Sequence, residues 1–399
     1  MVVLKYQTLI FTLLASLMVA ILAGCSSLPT PQSGAQFEKP MSRLELVRTL
    51  AGRRKNKVLN FSKQNLSGLE LRRFDFRNSI FTQAYVAKTD FQNANFRLAR
   101  FDQADLTGAL FMSADLRNVD FRGANLTSVD FTDANLNGAD FSGANLHGAI
   151  FNRSLVQGIK LAGAVLYDAQ FVNVYLGSTD LSKLDLREVN FQGSDLSNAI
   201  LREVNLEGAD LSGVILRSAD LALANLTRAN LDGAVLSEAL LHSTQFVEAS
   251  MEECDLRGAN LFHARMEEAN LKKALLQGAN LSEVNLTGAN LRGANLLNVT
   301  AVNSTFVWAD MREAVLAKGD FTGTDFSDAK LSDANLLQSI MVNTRLVAAN
   351  LKAANLRGVN FDGADVRGAN FRDADLLGAE NLSRAKGLNQ VLHLEDVTL

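Results

Sequence analysis

Proline is almost missing from this chain. Only Pro29, Pro31 and Pro40 occur in 399 residues, and none follows Pro40. A stretch of that length keeps every backbone N–H available as a donor, as a continuous system of ladders requires. Cysteine is as scarce, with Cys25 and Cys254 alone, so no disulfide framework holds the chain together. The four His residues (His147, His242, His263 and His393) leave few candidates for imidazole chemistry. No Gly-rich phosphate loop stands between a strand and a helix, because the glycines follow a regular five-residue beat. Neither sign of charge dominates, with 39 Lys and Arg against 43 Asp and Glu. The chain has no continuous basic stripe of the kind that binds nucleic acid.

What the chain does have is a period of five. From Phe61 to Leu376 every fifth residue is large and apolar, with Ala301 the one exception. Of the 64 positions in this series, 37 are Leu, 19 Phe, four Met and three Val, so the series runs without insertion or deletion. Five matches neither the 3.6-residue repeat of a helix nor the alternation of a strand, and it points to a repeat architecture. Two residues before each large residue stands a small one, usually Ala, and between them Asp or Asn. Ala104-Asp105-Leu106, Ala124-Asn125-Leu126 and Ala144-Asn145-Leu146 are typical.

These units resemble the pentapeptide-repeat family, whose unit is Ala-(Asp/Asn)-Leu-X-X, over about four fifths of the chain. The resemblance implies an all-β fold, a right-handed quadrilateral parallel β-helix with one pentapeptide per side and 20 residues per coil. The residues support that coil independently. Between Phe101 and Phe151 the large residue alternates Phe and Leu. Four sides then stack Phe on Phe along two opposite sides, Phe61, Phe81, Phe101, Phe121 and Phe141 on one and Phe91, Phe111, Phe131, Phe151, Phe171 and Phe191 on the other. Aromatic pairs add roughly 0.5–1.5 kcal/mol each beyond burial. The expectation is a solenoid of about 16 coils, roughly 75 Å long at a strand spacing of about 4.8 Å. Its interior is lined by the large residue and the small Ala, and short helical caps close its ends.

Residues 1–24 read as a signal peptide. Lys5 precedes an apolar run from Leu9 to Leu22, too short for a membrane span and suited to a signal-peptide core. Leu22-Ala23-Gly24-Cys25 resembles the bacterial lipoprotein signal, which implies lipidation at Cys25 and attachment to a membrane through that lipid. Ser26 after the cysteine resembles lipoproteins sorted to the outer membrane of Gram-negative cells. Residues 25–41 read as a flexible tether. Residues 42–60 read as a capping helix followed by the basic cluster Arg53, Arg54, Lys55 and Lys57. The helix has Ser42 and Glu45 as a capping box and Leu44, Leu46, Val47 and Leu50 as its apolar face. Residues 61–376 form the repeats and 377–399 a C-terminal cap and tail, with a closing helix expected over 383–393.

Function then falls to the outer surface. Some members of the resembled family protect DNA gyrase by resembling duplex DNA. A duplex of this length carries roughly 44 charges, whereas residues 61–376 hold 38 acidic and 29 basic side chains, interspersed. That balance and the export signal disfavour DNA mimicry, and no nucleic-acid partner or cofactor is expected. No enzyme signature is present. His242, His263 and Glu283 fall near one another on a 20-residue coil, which keeps a ligand- or metal-binding envelope protein as an alternative. Cys254 occupies a small inward position and reads as a buried apolar residue. Apolar residues at the outward position mark the candidate partner face. One side gathers Leu155, Tyr175, Ile215, Val235, Leu275 and Val315, with Leu297, Leu337 and Leu377 just after its large residues. Trp308 is expected on a neighbouring side, and residues 297–315, around Ala301, as the most irregular stretch. The leading expectation is a lipid-anchored, non-enzymatic envelope rod that binds another envelope component or itself.

Overall fold

The computed structural model describes residues 40–51 and 58–397. The signal peptide, Cys25, the tether before Pro40 and the basic cluster 53–57 lie outside the described residues.

From Asn60 onward the outward residues pair in parallel with the residue 20 positions later at all but a few places, Asn60 with Ile80, Asn65 with Tyr85, Glu70 with Asp90 and Asp75 with Asn95. The chain therefore winds into coils of four sides. We name the four walls A to D after these columns, so wall A carries Asn60 and Ile80, and wall D carries Asp75 and Asn95. All 64 large residues of the series point inward and are buried, Ala301 included. The small residues two positions earlier are buried beside them almost throughout.

The unit of five follows from its N–H groups. Take Phe121 to Asn125. Phe121 N–H donates to the Asp140 carbonyl of the next coil at 2.8 Å, and Gly123 N–H donates to Ser142 at 3.0 Å. Asn125 N–H donates down to Ala104 at 2.9 Å, and Ala124 N–H closes a turn onto Phe121 at 3.0 Å. Only Arg122 N–H is left, and the side chain of Asp120 accepts it at 3.1 Å. All five donors are thus satisfied, as buried or edge backbone demands. Asp or Asn precedes the large residue because its side chain closes that last bond. The turn needs a left-handed second residue, and every residue two after a large one has positive φ, from Lys63 to Gly378.

Both Phe columns form as expected. Ring centroids lie 4.5 Å apart for Phe81 and Phe101 and for Phe151 and Phe171, with near-parallel planes. The two columns also meet across the core edge to face, as Phe131 and Phe141 do at 5.7 Å and 77°.

The ends differ from expectation in detail. Helix α1, Arg43–Ala51, closes the first coil. Ser42 N–H donates to the Glu45 carboxylate at 2.8 Å, and Glu45 N–H donates to Ser42 Oγ at 3.3 Å, a capping box. Its buried anchor is Leu46 alone, whereas Leu44 and Val47 are exposed. At the other end there is no α-helix over 383–393. Three 3-10 turns take its place, Leu382–Arg384, Leu388–Gln390 and Leu394–Asp396. The apolar spacing stretches from five to six, through Leu376, Leu382, Leu388 and Leu394, so the coil widens and continues. Asp365 pairs with Lys386, and Asn370 with Leu392.

Candidate functional site

Wall D gathers the outward apolar residues singled out in the sequence. Leu155, Tyr175, Ile215, Val235, Leu275 and Val315 lie in one column of parallel pairs, interrupted by Asp195, Asp255 and Asn295. Leu155 and Tyr175 are each 57% exposed and Ile215 38%. Val235, Leu275, Val315, Leu297 and Leu337 are half-buried. Trp308 is the most exposed of the large apolar residues, at 64%, but it does not adjoin this face. It follows Phe306 of wall B by two residues and so stands at the corner of walls B and C. Residues ten apart fall on opposite walls, which puts the Trp308 corner behind the apolar column.

An apolar residue in this column forgoes a hydrogen bond. Gly177 follows Tyr175 by two, and no acceptor takes its N–H among the described residues. Arg217, two after Ile215, is in the same position. For Gln157 the lost acceptor is replaced from the coil below, by Asn137 Oδ1 at 2.8 Å. The Tyr175 ring lies over Gly177, where a Cβ would collide with it. Together with Asn137, Arg153, Gln157 and Asn173, Leu155 and Tyr175 line an open cleft of about 340 Å³. Arg153 is held there by two bonds of 2.9 Å to the Asp133 carboxylate.

Acidic and basic side chains balance along wall D, and some are paired. Arg117 forks onto Asp115 at 2.8 and 2.6 Å, and Arg257 onto Asp255 at 2.8 and 2.7 Å. The guanidinium hydrogen bonds, opposed in part by burial, hold both carboxyls below the usual carboxylate range. The column is therefore flat, half apolar and close to electrically neutral between Asn135 and Leu337.

Elsewhere the chemistry is sparse. His263 Nε2 lies 3.1 Å from Glu283 Oε2, and the Phe262 ring packs edge-on against the imidazole. No group of three or more metal-ligating side chains gathers among the described residues, there or elsewhere. Cys254 is fully buried, and burial pushes its thiol well above the usual range. Residues 297–315 keep every coil-to-coil bond, with Ala301 N–H on Asp320 at 2.8 Å, so they are not the irregular stretch.

With this geometry in hand, the comparisons are decisive about family. A model described as Pentapeptide repeats matches residues 114–153, 179–218, 219–258, 239–278, 259–298 and 279–316. A second, Pentapeptide repeat region, matches residues 58–130 and 314–386. Together they cover well over half of the chain. The chain belongs to the pentapeptide-repeat family. Its fold is the family's right-handed quadrilateral β-helix. Among solved structures, it is similar to HetL, a pentapeptide repeat protein involved in heterocyst differentiation regulation from the cyanobacterium Nostoc. Identity to HetL is 31% over 54% of this chain and 87% of that one, with a TM-score of 0.30. A pentapeptide repeat protein of the Arabidopsis thaliana thylakoid lumen is 28% identical over 27% of this chain and 69% of its own, with a TM-score of 0.18. QnrB1, a plasmid-mediated fluoroquinolone resistance protein, is 18% identical over 42% and 85%, with a TM-score of 0.24. No curated protein matches the chain.

Proposed function

We propose that this pentapeptide-repeat protein is a non-enzymatic rod of the bacterial cell envelope, tethered by lipid on Cys25, that offers wall D to a protein partner. The observation that carries the reading is the column of Leu155, Tyr175 and Ile215. These three side chains are exposed on one flat, charge-balanced wall, and two of them leave a backbone N–H without its usual Asp or Asn acceptor. Apolar side chains presented at that cost suit an interface in which the partner covers them. The lipid anchor rests on Leu22-Ala23-Gly24-Cys25, and the outer membrane on Ser26.

The test is crosslinking in intact cells with a photoreactive residue at position 175 and, as control, at position 242 on wall A. The expected result is one discrete adduct from position 175 that disappears when Ile215 is changed to Asp. Adducts of equal yield from both positions would refute the face. Fractionation tests the anchor separately. Cys25→Ala is expected to move the protein from the membrane to the soluble fraction, and membrane retention of that variant would overturn the lipid assignment.

A further inference from the structure

Each large residue donates its N–H to the carbonyl 19 positions ahead, and this bond holds successive coils together. From Phe61 to Phe361 it is present except at four residues, Val156, Leu161, Leu166 and Phe191, and beyond these Val366 and Phe371 donate to Lys386 and Leu392, 20 and 21 positions ahead. The four belong to walls D, A, B and C in turn. The first three gaps follow one another on walls D, A and B, while wall C keeps its bond there, Phe171 N–H on Asn190 at 2.8 Å; the gap at Phe191 lies one coil further on. The returning bonds fail at the same places. Tyr175, Asp180 and Asp185 do not donate down to Ser154, Ile159 and Ala164, and Asp210 does not donate down to Val189. The parallel pairs Lys160–Asp180, Val165–Asp185 and Asn190–Asp210 are accordingly absent, although their neighbours above and below are present, whereas Leu155 and Tyr175 stay paired on wall D.

The side chains supply the cause. The inward position two before each large residue is narrow and holds Ala, Val, Ser, Thr, Gly or Cys from Ser79 to Ala374, with two exceptions. The exceptions are Ile159 and Leu184, both buried, one in the coil below the gap and one in the coil above it. Leu59, Leu69 and Phe74 are accommodated at this position in the first coil with their bonds intact, but inside the stack a core already filled by one large residue per side has little room for a second. Overpacking of this kind is relieved by backbone displacement, and here the coils part. On wall C the Phe151, Phe171 and Phe191 stack stays continuous through the same coils, with centroids at 4.5 and 5.6 Å.

We propose that the coils from Val156 to Phe191 are a built-in flexural joint between two stiff stacks, with the Phe column of wall C as its hinge line. Opening and closing of the seam moves Lys160 relative to Asp180 and Val165 relative to Asp185, the two positions on walls A and B at which the parallel pairing is lost. The joint stands whether or not wall D binds a partner.

Paired spin labels test it in the full chain carrying Cys25→Ser, with Cys254 unreactive through burial. Ser142, His242 and Val342 occupy the same place on wall A, each 100 residues, or five coils, from the next. A uniform rod gives both pairs a separation of about 24 Å. The expected result is a distance distribution at least about twice as wide for the pair at 142 and 242, which spans the seam, as for the pair at 242 and 342. Equal widths would overturn the joint. Ile159→Ala with Leu184→Ala is expected to narrow the spanning pair to the width of the control. If that variant is folded by circular dichroism and the spanning pair stays broad, the overpacking cause is wrong. If the variant does not fold, the two pairs in the otherwise native chain still decide the question.

Discussion

At the scale of single residues, the repeat tolerates side chains only at defined cost. The second turn residue is always left-handed, and a β-carbon there costs roughly 1–2 kcal/mol relative to glycine. Trp308 occupies such a position at φ 60° and is largely exposed, with little packing in return. Trp308→Gly is therefore expected to stabilise the rod by about 1 kcal/mol, read as a rise in the urea midpoint. A fall would mean that the indole packs against something the exposed geometry does not contain. The carboxylates set a pH limit. Asp115, Asp120, Asp185, Asp310 and Asp365 are each lowered, first by hydrogen bonds from the Arg two residues on. A depressed folded value means stability present above the unfolded value near 3.9 and lost as pH falls through the folded one. Thermal stability should be flat from pH 7 to about pH 5 and decline below about pH 4. The pairs are partly exposed, so the loss per pair is small. A midpoint rising on acidification to pH 3 would contradict the sign.

At the scale of the coil, the controlling quantity is the volume of the two inward side chains. The same reasoning that explains the seam makes a prediction where the ladder is intact. Ala134→Leu places a second large side chain beside Leu136, between Phe columns that are already closed. It should cost about 1–3 kcal/mol and open the bond from Leu155 N–H to Ala134. Hydrogen exchange would report it as faster uptake in the peptide holding residue 155. Unchanged exchange and stability would mean that the core has slack that the zero exposure of Ala134 does not suggest. This is also where the sequence was most and least legible. The period of five, the Phe alternation and the Ala-Asp-Leu unit specify coil length, wall number and inward residues, because each is a strict repeat with one physical cause. The alignment of the outward apolar residues in one column of wall D followed from the same arithmetic. The seam did not, although Ile159 and Leu184 stand in plain view, because an apolar residue at an apolar position looks harmless until its volume is weighed. Ala301 is the conspicuous departure from the repeat, yet it leaves the ladder intact, its N–H meeting Asp320 at 2.8 Å. The absence of a closing helix has a related reason. Spacing of six among Leu376, Leu382, Leu388 and Leu394 is a stretched coil and not a helical face.

At the scale of the rod from Pro40 onward, each coil touches only its neighbours, so stability approximates a sum of coil terms and nearest-neighbour terms. In such a one-dimensional system, cooperativity between distant parts passes through every intervening contact. A seam that removes backbone bonds from walls D, A and B and leaves wall C to hold the coils is therefore the weakest coupling in the stack. The coils before Val156 and those after Phe191 should unfold as separate units. The chain supplies its own reporter, since Trp308 is the only tryptophan and lies in the second stack. Far-ultraviolet circular dichroism follows both stacks, whereas tryptophan fluorescence follows the second alone. Urea unfolding is expected to give non-coincident curves by the two probes, the dichroism transition being the broader and biphasic. Joining the stacks through Ile159→Ala and Leu184→Ala should bring the curves together, because continuous ladders restore the coupling. Superimposable curves in the unmodified chain would show that the Phe column of wall C alone carries enough interaction across the seam to keep the rod one cooperative unit.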